Sequence, residues 1–243
     1  MGRLTSQLLD DHASSRNAKR WRGLLVEVTE RLVRQHGTPT LGNYRDPVRE
    51  IFYIMLSART TEVLYRRAHG ALLRRFPKLE QLAAARLSDV YACIAVAGLG
   101  TKRAVQVRDI AAKLVADFPR QPSAALRRMS PRDAFDYLTA LPGMGPKSAL
   151  CVMMYSLDHD VFPVDVHVGR IIRRLGIGRT LVKHYQAQRR LPVFVPDGKS
   201  KELHVALVAH GRTFCLPSRP KCSECPLNDL CRFGRIHNGR AAS

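Results

Sequence analysis

Residues 136–172 read DYLTALPGMGPKSALCVMMYSLDHDVFPVDVHVGRII. Gly143 and Gly145 separate two helical patterns, and Pro146 can take the first position of the second helix without losing a hydrogen bond. Glycines at such a turn let backbone amides approach an anion closely, and the amides of a helix start carry partial positive charge that suits a phosphate. Lys147 follows the turn at once. A single apolar helix, SALCVMMYSL, then returns the chain toward the same place, and Asp165, eighteen residues after Lys147, opens a further helical pattern, VDVHVGRIIRRLG. A tight turn without a ligand is the plain reading of Gly-x-Gly between helices. The lysine and the carboxylate that flank it argue for more.

Outward from this segment the patterns stay helical. Leu24, Leu25, Val28, Leu32 and Val33 recur at helical spacing, and His36, Gly37 and Pro39 give a stop. Asp46 before Pro47 combines a capping carboxylate with a proline at the first helical position, so a helix is expected there with Val48, Ile51, Phe52 and Met55 facing a core. Ser88 and Thr101 open two more, with Gly98 and Gly100 in the turn between them, and SPRD at 130–133 is a capping box that starts another. Only VFPV at 161–164 and LPVFVP at 191–196 have strand character, too little for a sheet, so an all-α fold is expected. The segments 1–18 and 234–243 are expected to be flexible tails.

Composition narrows the function classes. Over 243 residues, 40 Lys and Arg against 20 Asp and Glu leave a net charge of +20, while the hydrophobic fraction of 45% is that of an ordinary globular chain and excludes disorder as the account of the charge. The length allows one to two domains, each with its own core. An excess of this size calls for a polyanion, and a phosphate backbone is the commonest one in a cell. No apolar run reaches a membrane span and the first residues lack a secretory core, so a soluble intracellular protein is expected.

Four of the six cysteines fall within seventeen residues as C-x6-C-x2-C-x5-C: Cys215, Cys222, Cys225 and Cys231. In a reducing compartment such a group reads as metal ligands rather than disulfides. Structural zinc usually takes two short knuckles, and here only Cys222 and Cys225 form one, so the spacing favours iron–sulfur and leaves zinc and free thiols as alternatives. Cys93 and Cys151, in apolar patterns, read as small buried hydrophobes.

LPGMGPKSA resembles the helix-hairpin-helix of the endonuclease III family of DNA glycosylases, FPVDVHVGRIIRRLG resembles that family's Val-Asp-x-His segment, LSARTTEV at 56–63 is similar to its LSAQ-T segment, and the cysteine spacing matches its cluster loop. The likeness spans roughly residues 20–233. It implies two helical lobes with DNA bound between them: a six-helix domain at 40–159 holding the hairpin, and an iron–sulfur domain made from 19–39 and 160–233. The four cysteines would then hold a four-iron, four-sulfur cluster. The partner implied is double-stranded DNA with damaged bases or abasic sites, the location a bacterial-type cytoplasm or nucleoid, and nothing suggests an oligomer, so a monomer is expected.

The same resemblance implies a bifunctional glycosylase and AP lyase of base excision repair that acts on oxidised pyrimidines. A glycosylase must extrude the damaged nucleotide to reach C1′. Leu99 matches the family's wedge, an apolar side chain that can fill the vacated stack, against the simpler reading of a loop leucine packed on the core. Lys147 aligns with the nucleophile, which forms a Schiff base and labilises the strand to β-elimination. An unperturbed lysine of pKa about 10.4 is only about 0.04% neutral at pH 7, so the site must depress it or remove its proton during catalysis. Asp165 would accept that proton or stabilise the cationic sugar, and capping a helix is compatible with either role. Gly143, Gly145 and His167 are candidate DNA contacts, His167 equally a brace of its helix start, and Arg219 and Lys221 can meet phosphates from the cluster loop. Arg59 stands where the family usually has Gln, at a position expected to probe the opposite strand. Glu62 replaces the commoner Asp, and Gly100 the frequent Tyr. Two other classes remain: a monofunctional glycosylase of the same superfamily, and a non-catalytic DNA-binding protein. The latter has no use for a carboxylate beside the hairpin, where it would repel phosphate.

Overall fold

The computed structural model describes residues 15–241 apart from Thr38, Arg59, residues 178–187 and Arg189, and no strand occurs among the described residues. Helix α1 spans Ser15–His36, α2 Pro47–Ser57, α3 Glu62–Arg75, α4 Leu79–Ala83, α5 Leu87–Ile94 and α6 Thr101–Asp117. Then follow α7 Pro122–Arg128, α8 Pro131–Thr139, α9 Pro146–Ser156, α10 Val166–Leu175, α11 Ser200–Thr213 and α12 Arg232–Ala241. Residues 15–18 therefore belong to α1, and α12 covers 234–241, so these parts of the expected tails are helical; residues 1–14 and 242–243 lie outside the described residues. No helix among the described residues is long and apolar enough to cross a membrane.

The chain divides into two compact units, one of residues 43–159, the other of the chain before and after it. In the inner unit α2 and α9 are buried on nearly every side: Ile51 through Leu56 and Cys151 through Ser156 are all core. Two of the expected caps form, at Asp46 and Ser130, whereas Ser88 and Thr101 lie inside their helices, which start after Arg86 and Gly100 without a side-chain cap. The Asp46 carboxylate accepts from Arg49 N (2.9 Å) and from Ser123 Oγ (2.6 Å), and Ser130 Oγ accepts from Asp133 N. Arg127 of α7 donates to Ser156 O (2.7 Å) at the end of α9 and to Arg45 O, which ties the start of α2 to the end of α9.

The outer unit packs α1, α10 and α11 around Leu25, Val28, Leu32, Val168, Ile171, Leu203 and Leu207. Both sequences with strand character fall here. Leu191–Phe194 forms a 3-10 turn, not a strand. Residues 162–164 form no strand, and their backbone pairs with side chains: Gln188 accepts from Val164 N (2.7 Å) and donates to Phe162 O (2.9 Å), and His204 Nδ1 donates to Pro163 O (2.9 Å). A side-chain amide thus does for this segment what a neighbouring strand would do in a sheet. The segment, so pinned, delivers the chain to Asp165.

Candidate functional site

In the inner unit α8 and α9 form the expected hairpin. The intervening turn is held by Leu141 N to Leu138 O (3.2 Å) and Met144 N to Leu141 O (3.1 Å), with Leu141 and Met144 buried beneath it. The two glycines differ. Gly143 has φ +77°, the left-handed region, and a Cβ there would stand 2.5 Å from Gln106 Nε2 of α6. Gly145, the N-cap of α9, has ordinary extended geometry (φ −87°, ψ 171°), and a Cβ there would meet nothing within 4 Å. Chain conformation thus accounts for glycine at 143. At 145 the protein itself sets no such requirement, and the exposed N-terminus of α9 stands open to an anion. Lys147 is half-buried in the first turn of the same helix.

Leu99 lies in the turn before α6 and is packed inward, only 9% exposed. Arg59 lies outside the described residues.

In the outer unit Asp165 caps α10, its Oδ1 accepting from Val168 N (2.8 Å). Val166, beside it, is exposed. His167 turns into the protein. A Cβ on Gly211 of α11 would stand 2.6 Å from its Nδ1, so glycine at 211 is what allows the ring to pack there, and burial pushes its pKa down.

Two arginines the sequence reading passed over, Arg170 and Arg174, join α10 to the cysteine loop. Arg170 donates to Cys215 O (2.7 Å) and Gly211 O (2.8 Å) and meets His167 Nδ1 at 3.0 Å. Arg174 donates to Cys215 Sγ (3.2 Å), Leu216 O (2.7 Å) and Pro217 O (2.9 Å), and its guanidinium lies over the Phe233 ring. Their i, i+4 spacing in GRIIRRLG was the available signal, one shared with any solvated helix face. The helix capped by Asp165 is thereby the one that carries the loop. From the other side Arg31 of α1 reaches Asp229 (2.5 Å) and Pro226 O (3.3 Å).

Cys215, Cys222, Cys225 and Cys231 line one small cavity with Ile171, Leu175, Phe214 and Phe233. Burial pushes the Cys222 and Cys231 thiols up and carries Cys225 to about 11, with the neighbouring cysteines adding to the shift. Thiols in such surroundings ionise together only with strong positive charge in their midst. Four sulfurs lining one largely apolar cavity are the donor set that a four-iron, four-sulfur cluster takes. Leu227 N and Gly234 N, each 3.4 Å from Cys225 and Cys231 sulfur respectively, add the hydrogen bonds that thiolate ligands take. Arg219 and Lys221 are both exposed on the loop, Arg219 in the left-handed region at φ 52°.

Residues 52–196 match the HhH-GPD superfamily of base excision DNA repair proteins, and residues 215–231 match the iron-sulfur binding domain of endonuclease III. The chain is 29% identical to endonuclease III of Bacillus subtilis over 192 residues, 79% of this chain and 84% of that protein. It is 31% identical over 170 residues to the transcriptional activator DEMETER of Arabidopsis thaliana, matching 63% of this chain but spanning only 9% of that much longer protein. Its fold superimposes on a non-covalent endonuclease III–DNA complex with a TM-score of 0.77 at 25% identity, covering 91% of this chain and 98% of the other. Hairpin, capped acid and cysteine loop thus occur together, in order, on the fold that unites them, and the chain belongs to the endonuclease III family of the HhH-GPD superfamily, DNA glycosylases of base excision repair that carry a four-iron, four-sulfur cluster.

Proposed function

We propose that this glycosylase is bifunctional: it removes oxidised pyrimidines from duplex DNA through a Schiff base on Lys147 and then nicks the strand at the abasic site. The observation that carries the reading is Lys147 itself, an amine in the first turn of α9 directly behind the open Gly145 amide. Extrusion of the damaged nucleotide costs a few kcal/mol, less where damage has weakened stacking or pairing. The neutral amine then attacks C1′; the new C–N bond forms as the glycosidic bond breaks, and the base leaves with the bonding pair. Ring opening gives the Schiff base, and loss of a C2′ proton expels the 3′ phosphate. Asp165 takes the lysine proton or stabilises the positive sugar, with its carboxylate aimed by the Val168 amide. The Gly143–Gly145 turn binds backbone phosphate.

The residues that would hold the cluster are Cys215, Cys222, Cys225 and Cys231, and when bound it braces the loop that presents Arg219 and Lys221 to the strand. Arg170 and Arg174 grip the same loop through its carbonyls.

The test is incision of a duplex bearing one oxidised pyrimidine, with products resolved before and after alkali. The bifunctional reading predicts nicking without alkali by the wild type and none by Lys147→Gln. Base release that yields a nick only after alkali would instead make the enzyme monofunctional.

A further inference from the structure

We infer that His210 is a hydrogen-bond donor to the iron–sulfur cluster, its Nε2–H directed at the Cys225 sulfur, and that it raises the cluster's reduction potential. The inference rests on the four cysteines being the cluster ligands. His210 is in the last turn of α11, 1% exposed, with Nε2 3.5 Å from Cys225 Sγ. The ring is fixed from both sides: it stacks on Phe214 (centroids 5.5 Å apart, planes 14° apart) and meets His36 edge-on at 5.8 Å. Its other nitrogen, Nδ1, is buried and has no hydrogen-bond partner among the described residues.

These contacts select one tautomer. A cysteine bound to iron is a thiolate, which only accepts. A neutral imidazole has one N–H to place. On Nδ1 it would be a buried donor with no acceptor, while the Nε2 lone pair faced the sulfur lone pairs. On Nε2 it is satisfied, and the remaining unpaired group is an acceptor, the less costly orphan. A donor at this sulfur withdraws charge from the Fe–S unit and favours the more reduced cluster. Cys225 already accepts from Leu227 N, and Cys215 from Arg174. Unlike the backbone amide, the imidazole can be removed by one substitution.

The experiment uses the full-length protein purified with its cluster. Iron content and brown absorbance of the wild type test the ligand assignment first; a protein without iron fails that assignment, a result distinct from any failure of the histidine. In the iron-loaded wild type labelled with 15N-histidine, the His210 ring should resonate as the Nε2–H tautomer, with slow solvent exchange. A proton on Nδ1 overturns the inference, and this reading needs no variant. The midpoint potential of the cluster is then compared across His210→Phe, His210→Gln and His36→Phe. Removal of the N–H by His210→Phe should move the potential to more negative values, the glutamine amide should restore it in part, and His36→Phe should leave it near wild type. Equal potentials in wild type and His210→Phe, or an equal shift in His36→Phe, would assign His210 to packing alone.

Discussion

Substituting alanine for each hairpin glycine in turn separates what the fold needs from what the ligand needs. At Gly143 the left-handed backbone (φ +77°) charges any L side chain roughly 1–2 kcal/mol. The new Cβ would also displace the Gln106 amide, a flexible group that can swing aside. For a chain of this size, about 2–4 °C per kcal/mol makes Gly143→Ala roughly 2–8 °C less stable. At Gly145 two small effects oppose. Alanine is a poorer N-cap than glycine by about 0.5–1 kcal/mol, while restricting the unfolded chain returns about 0.4–1 kcal/mol. With nothing within 4 Å of the Cβ, the melting temperature should stay within a degree or two of wild type. DNA binding should behave in the opposite way. A methyl at the open mouth of α9 holds a phosphate away from the amides, and losing a hydrogen bond to a charged group, about 1.5–3 kcal/mol, weakens binding roughly 10- to 100-fold. Thermal melts and fluorescence anisotropy with an abasic-analogue duplex measure both quantities. Normal binding by a normally stable Gly145→Ala protein would refute the phosphate-turn reasoning, and a large loss of stability would refute the open-space reasoning.

Binding to undamaged duplex should weaken steeply with salt, by about 0.9 in log K per unit of log salt for each phosphate neutralised, and a flat titration would remove the electrostatic argument drawn from the +20 charge. Cys222→Ala should lose the brown chromophore and much of the outer unit's stability; full iron content in that variant would show the ligand assignment to be wrong. His69, fully buried between Tyr44 and Tyr53, is pushed down to about 4 by burial. Below pH about 6.5 the unfolded chain binds a proton there that the folded one refuses, so stability falls with pH and loses up to about 3 kcal/mol by pH 4. Urea titrations should show a shallower acid dependence in His69→Gln. Arg170→Met should destabilise the outer unit by about 2–4 kcal/mol, because the buried Gly211 carbonyl and the half-buried Cys215 carbonyl lose their donor; an unchanged urea midpoint would contradict that.

The parts of the molecule that were legible in the sequence are those written in local chemistry. Asp46 before Pro47 and Ser130 before Pro131 announce their helices because a cap needs only neighbours. Glycines on either side of Met144 mark the hairpin, and the cysteine spacing marks the cluster loop, for the same reason. VFPV misleads locally because its backbone finds partners in the side chains of Gln188 and His204, far along the chain. Residues acting through distant partners were not legible. Arg170 and Arg174 look like solvent-facing charges until Cys215, Leu216 and Pro217 are brought against them, and His210 looks like any other polar residue of its mixed helix until Cys225 arrives. Leu99 illustrates the reverse case: its place in the turn suggests an intercalating wedge, yet it is only 9% exposed, and entering a base stack requires it to come out of that cover.

The central chemical claim, a Schiff base on Lys147, is tested most directly by borohydride trapping on a duplex carrying one oxidised pyrimidine, with Lys147→Gln alongside the wild type. A covalent protein–DNA complex formed by the wild type alone is the predicted result. Base release by the wild type with no trapped complex, or equal trapping by Lys147→Gln, would contradict it.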